Sequence, residues 1–167
     1  MEITNQTKVC EAMPFLKAEH VEQLLKSDKI QPLPFKKSVF EMTVGEFAEC
    51  LDENYTARFF ENTDELFVVA MGRLKHFKNE IESVGKILKL NEIKLTADEK
   101  AAQRGVVFPT FQENLLCETL EYFHLHSLEE AEKIPLSNYL IMKRKKSAEA
   151  LYERNLNKIY SEKGKKK

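Results

Sequence analysis

His124-Leu125-His126 is the first place in this chain to ask about chemistry, because two imidazoles so close in sequence invite a metal ion. On a helix, residues two apart point about 200° from each other. The pair can therefore converge only where the chain is extended. Cys117, Glu121 and Glu129 are the nearest further donors, and none stands at a spacing that completes a site. The reading is a histidine pair at a helix end, without metal. The carboxylate neighbours Asp98-Glu99 and Glu129-Glu130 have the right groups for acid–base work, but they fall in first helical turns, where negative charge complements the helix dipole. Cys10, Cys50 and Cys117 lie far apart without CxxC spacing and read as reduced thiols, with Cys50 and Cys117 as small buried hydrophobes. No GxGxxG, Walker loop, HExxH or GxSxG occurs. The expectation is a non-enzymatic protein with no catalytic residue, no cofactor and no metal.

Two other patterns point to surfaces. Lys143-Arg144-Lys145-Lys146 is the densest charge cluster. Between Lys133 and Lys167 eleven Lys/Arg stand against three Glu, so a basic end balances an acidic remainder in a chain of net charge −1. The four basic residues occupy one helical turn and fan around its axis, which suits a solvated face or an acidic protein partner better than nucleic acid. Over the same region Ile141, Ala148, Tyr152 and Ile159 fall on one line, flanked by Leu151 and Leu156. Ala148, Leu151, Tyr152, Leu156 and Ile159 are the candidate partner-binding residues. The stripe is open to two readings, packing inside a bundle or docking of a partner or second copy. Arg144 and Lys145 interrupt its first turn, which places the start of its buried part near Ala148. Lys143, Lys146, Glu153, Arg154 and Asn157 form the opposite, solvated side.

The elements that must position these residues are helices. Thr43-Val-Gly-Glu46, Thr96-Ala-Asp-Glu99, Thr110-Phe-Gln-Glu113 and Ser127-Leu-Glu-Glu130 read as capping boxes. In each, the hydroxyl accepts from the N–H three residues on and the Glu reaches back to the capping N–H. The longest element, residues 64–90, carries Leu66, Phe67, Ala70, Leu74, Phe77, Ile81, Val84 and Leu88 at three- and four-residue steps. Shorter helices are expected over 15–26, 44–52 and 111–124, and after Ser127. Gly105 would close the helix that Thr96 opens. Ser137 would cap the last helix, 138–161. Pro32 and Pro34 make an extended arm, in which Val39, Phe40 and Met42 can pair as a short strand. Residues 1–14 are polar and expected to be extended or poorly ordered.

These elements predict an all-α, single-domain bundle of five to seven helices of unequal length. A short helix and Pro-containing arm cover 1–42, the helical domain 43–161, and a basic disordered tail 162–167. Five Gly and five Pro in 167 residues argue against a turn-rich sandwich or barrel. No apolar run is long enough to span a bilayer, and the first residues lack a signal-peptide layout, so a cytoplasmic protein without membrane contact is expected.

Ala101-Ala102, Gly105, Phe108-Pro-Thr-Phe111, Ser127-Leu-Glu-Glu-Ala131, Ile134-Pro-Leu136, Tyr139-Leu140 and the charged helix from Tyr152 to Tyr160 together form a pattern. It resembles small helical tail-assembly chaperone-like proteins of tailed bacteriophages and prophages. Met42-Thr-Val-Gly-Glu-Phe47 is similar to the opening of such proteins, so the resemblance spans about residues 42–160 in short pieces. The segment after Phe111 departs from it, being Leu/Phe-rich where the family is polar and Gly-containing. The resemblance implies protein binding during assembly in the host cytoplasm, with a long helical tape-measure client and possible homo-oligomers. The rival expectation is a nucleic-acid-associated or regulatory adaptor using the basic helix.

Overall fold

The computed structural model describes residues 4–35, 37–103, 106 and 110–164. The protein is an all-α, single-domain bundle. Eight α-helices lie among the described residues: α1 (Val9–Ala12), α2 (Ala18–Lys26), α3 (Val44–Cys50), α4 (Phe67–Leu90), α5 (Ala97–Ala102), α6 (Phe111–Tyr122), α7 (Leu128–Glu132) and α8 (Leu136–Gly164). The single turn α1 falls where an extended segment was expected.

Helix α4 is the axis of the fold. Phe67, Ala70, Leu74, Phe77 and Val84 of its stripe are buried. Val39, Phe47, Leu115, Leu136, Tyr139 and Met142 close one core around it, and Ala12, Ile30 and Met71 form a second cluster with Phe67. Burial of this apolar surface is the main stabilising term, at roughly 1.5–3 kcal/mol for each large side chain.

The segment before Thr43 is not a free arm. Val9, Ala12, Ile30 and Val39 are buried, and two polar side chains of α4, Lys75 and Glu80, hold the rest. Lys75 Nζ donates to the carbonyls of Ser27 and Ile30 at 2.7 and 2.9 Å. The Glu80 carboxylate accepts from the Ser38 hydroxyl at 2.6 Å and the Val39 N–H at 2.9 Å. Arg73 pairs with Glu65 at 2.6 Å. Val39–Glu41 is consequently a 3₁₀ turn capped by Ser38, not a strand. The pairing present here consists of isolated bridges, Lys8 with Leu66 and Thr43 with Pro135. Phe15 lies in another 3₁₀ turn before α2 and is exposed, because α2 begins only at Ala18.

Three of the expected capping boxes close in full, at Thr43/Glu46, Thr96/Glu99 and Thr110/Glu113. The fourth closes by half. Ser127 accepts from the Glu130 N–H, but the Glu130 carboxylate takes the N–H of His126, not of Ser127. The Lys37 ammonium, 2.8 Å away, and the Thr43 N–H hold the Glu46 carboxyl below its usual range. The Thr96 N–H and hydroxyl, then Arg154, lower Glu99, and the Thr110 hydroxyl and N–H lower Glu113. A carboxylate with a depressed folded pKa adds stability above its unfolded value, near 4.5, and loses it as pH falls through the folded value. Acid unfolding is therefore expected to begin below about pH 4.5, and Glu46→Gln should flatten that limb while leaving stability at pH 7 slightly reduced; thermal melts between pH 3 and 7 measure both.

Helix α8 begins at Leu136, directly after Pro135, with the Leu136 N–H on the Met42 carbonyl. Ser137 is thus inside the first turn and not its cap. The helix runs through Gly164, past the expected end, so residues 162–164 are helical and not a disordered tail; 165–167 lie outside the described residues. Gly105 and the 107–109 part of the connector before Thr110 also lie outside them.

Candidate partner-binding surface

Helix α8 is fastened to the body along one line. Leu136, Tyr139 and Met142 are buried at its base. Beyond them the fastenings turn polar. Glu118 on α6 accepts from the Tyr139 hydroxyl at 3.1 Å and pairs with Lys143 Nζ at 3.0 Å. Burial, then the Glu118 charge, pushes the Tyr139 phenol far above its ordinary value, so it acts as a neutral donor. The Ser147 hydroxyl donates to the Asn91 carbonyl. Arg154 donates to the Lys94 carbonyl at 3.0 Å and pairs with Glu99 at 2.9 Å. Positions 136, 139, 143, 147 and 154 recur at helical steps, so they define the inner face.

Ile141, Ala148, Tyr152 and Ile159 lie opposite that line and point away from the body. Ile141 is 66% exposed, Tyr152 67% and Ile159 48%. Leu151 and Tyr160 are exposed beside them, and Leu156 is half-buried. Two expectations are corrected here. The stripe does not become buried from Ala148 onward; burial is concentrated at Leu136–Met142. Lys143 and Arg154, expected on the solvated side, face the body because acidic groups on α5 and α6 receive them.

The basic cluster is divided by the same geometry. Lys143 is spent on Glu118, and Lys146 Nζ sits 5.6 Å from the centre of the Tyr122 ring. Lys145 lies 5.9 Å from that ring and 3.9 Å from Glu149. Arg144 is exposed. The four charges do not line one groove-facing side, the arrangement that phosphate tracking requires.

Several of the chemically suggestive residues have structural roles. His124 has φ 53°, the left-handed conformation that ends α6. The Leu125 N–H reaches the Leu120 carbonyl and the His124 N–H the Glu121 carbonyl, the paired bonds of a Schellman cap. Cys50 is buried, its thiol 3.6 Å from Met42 Sδ and pushed up by burial, whereas Cys117, expected inside, is exposed. Burial and the neighbouring Cys50 push the Tyr55 phenol up to about 12. Among the described residues no three His, Cys, Asp or Glu side chains converge on a metal-sized site. A cleft of about 700 Å³ beside α8 is lined by Leu88, Ile93, Phe111, Ala150, Lys143 and Lys146, among others. No described helix is long and apolar enough to cross a membrane. The chain matches no protein-family model, no curated protein and no solved structure.

The signal that sequence reading missed is the inner line of α8. It mixes Leu, Tyr, Met, Lys, Ser and Arg, so no hydrophobic periodicity marks it. Only Glu118 and Glu99, distant in sequence, identify Lys143 and Arg154 as anchors.

Proposed function

We propose that this chain is a non-enzymatic, protein-binding assembly factor whose docking surface is the outer face of α8. The observation that carries the reading is an apolar stripe turned to solvent on a helix whose fastening to the body uses its other side. Large exposed apolar side chains in a row are costly to solubility and recur at protein-binding surfaces. An amphipathic helical client fits such a face by burying its own apolar stripe against Ala148, Leu151, Tyr152, Leu156 and Ile159. The specific form we propose is a phage or prophage tail-assembly chaperone-like role, with a long helical tape-measure-like client. The resemblance over residues 42–160 supports that form.

The test is co-expression with the products of the reading frames that flank its own gene. Wild-type chain is expected to co-purify with a long helical neighbour, and Tyr152→Asp/Ile159→Asp to lose about tenfold or more of that affinity. Flanking frames for unrelated metabolic enzymes would remove the phage role. A client complex indifferent to the double substitution would remove the surface.

A further inference from the structure

We infer that the cleft beside α8 is a binding site for an anionic amphiphile, a free straight-chain fatty acid whose tail lies on the apolar walls and whose carboxylate meets Lys146 and Lys89. The site is on the body side of α8, away from the outer face, and stands whether or not that face binds protein.

The cleft forms where the end of α4, the connector after it, the start of α6 and the middle of α8 meet. Leu88 comes from α4, Ile93 from the connector, Phe111 from the first turn of α6 and Ala150 from α8. Its walls are chiefly carbon, and its volume of about 700 Å³ lies within the range of pockets that enclose small organic ligands, about 300–1,000 Å³. Gly85 also lines it. A Cβ built there meets nothing within 4 Å, so the helix backbone itself borders open space. The connector is tied to α8 on both sides of Ile93, by Ser147 on the Asn91 carbonyl and by Arg154 on the Lys94 carbonyl. The walls are therefore in place before a ligand arrives, which lowers the ordering cost of binding.

Charge selects the head group. Lys89, Lys143 and Lys146 line the cleft against one carboxylate, the exposed Glu92. Lys143 is taken by Glu118. Lys146 is half-buried, with its ammonium beside the Tyr122 ring at 5.6 Å from the centre. The ion pairs among the described residues include neither Lys146 nor Lys89. A partly desolvated ammonium without a counter-charge favours an incoming carboxylate through a charge-assisted hydrogen bond. The tail is hydrocarbon and not peptide for a related reason. A peptide brings an N–H and a C=O with every residue, and each one left unpaired against carbon is costly. The Ser147 hydroxyl and the Lys143 ammonium, which could have served them, are already engaged.

Equilibrium dialysis of the full chain against decanoate tests the proposal. Saturable binding of one molecule per chain is expected, with a Kd of about 1–100 µM. Decanol, which lacks the charge, should bind about tenfold more weakly, and decyltrimethylammonium more weakly still. Lys146→Gln should lower the affinity for decanoate about tenfold and leave that for decanol unchanged. Gly85→Leu places a side chain in the cleft where the helix gains propensity, so it should abolish binding of both without lowering the melting temperature. Absence of saturable decanoate binding overturns the proposal. So does decyltrimethylammonium binding as tightly as decanoate, the mark of a sticky apolar patch. Decanoate binding that is indifferent to Lys146→Gln or survives Gly85→Leu puts the ligand elsewhere and overturns it as well. The peptide acetyl-Glu-Leu-Phe-Leu-amide binding more tightly than decanoate, and lost on Gly85→Leu, would make the cleft a protein-docking site and reject the fatty acid. Tyr152→Asp/Ile159→Asp should keep decanoate while losing the client, and Gly85→Leu should do the opposite, so the two readings fail separately.

Discussion

Phe77→Ala is expected to destabilise the protein by about 3–5 kcal/mol, the largest single-residue effect proposed for this chain. Phe77 sits on the buried stripe of α4, with ring centres of Tyr55 and Phe59 at 5.3 and 5.2 Å and Phe35 at 6.4 Å. The four rings come from three separate segments: the Pro-containing connector, the 3₁₀ turn Glu53–Phe60 and α4. Removing the central ring takes away its own transfer energy and leaves a cavity that three segments must collapse into together. For a chain of this size the loss corresponds to roughly 6–20 °C in melting temperature. Leu90→Ala, at the exposed end of the same helix, is the matched control and should change stability by less than about 0.5 kcal/mol. Chemical denaturation of the two variants checks the contrast; comparable losses would mean that the core is not organised around Phe77.

Two glycines of α4 should respond to alanine with opposite signs. A Cβ at Gly72 would lie 2.7 Å from the Gln31 carbonyl oxygen and 2.9 Å from Leu33 side-chain carbons. The Leu33 N–H bonds to the Gly72 carbonyl, so the connector lies directly on the helix there. The helix gains about 1 kcal/mol of propensity from alanine, but pushing a backbone carbonyl aside costs more. Gly72→Ala is expected to destabilise by about 1–3 kcal/mol. At Gly85 an added Cβ meets nothing within 4 Å. Gly85→Ala should therefore stabilise by about 0.5–1 kcal/mol, the propensity term alone. Urea titrations of the pair read the sign at each position, and a stabilised Gly72→Ala would show that the 31–33 connector does not rest on α4.

How much of this was legible in the residues depends on whether the signal is local. A capping box is complete within four residues, and three of the four expected boxes close as read. The stripe of α4 is also local: Phe67, Ala70, Leu74, Phe77 and Val84 are buried where the spacing puts them, whereas Leu66 is exposed just before the helix and the buried Met71 lies outside the expected set. The fastening of the first forty residues was not legible, because Lys75 and Glu80 lie outside that stripe and look like solvated charges. They are recruited by carbonyls and an N–H more than forty positions away. The C-terminal helix shows the same limit more sharply. Its apolar line is conspicuous, but periodicity reveals that a face is apolar without revealing which side meets the body. In α8 that side is set by the buried Leu136, Tyr139 and Met142 and continued by Glu118 and Glu99, which receive Lys143 and Arg154 and leave Ile141, Tyr152 and Ile159 outward. The His124-Leu125-His126 spacing likewise has a backbone explanation, the left-handed cap of α6.

Helix α8 is held by its inner line, and we propose that its apolar line serves other protein. Stability and association measured on one preparation of Tyr152→Asp/Ile159→Asp separate that proposal from a packing role for the stripe. Unfolding free energy within about 0.5 kcal/mol of wild type, unchanged helicity by circular dichroism and loss of complexes are expected. A variant that loses several kcal/mol, or melts without a cooperative transition, would place the stripe in the core and end the proposal.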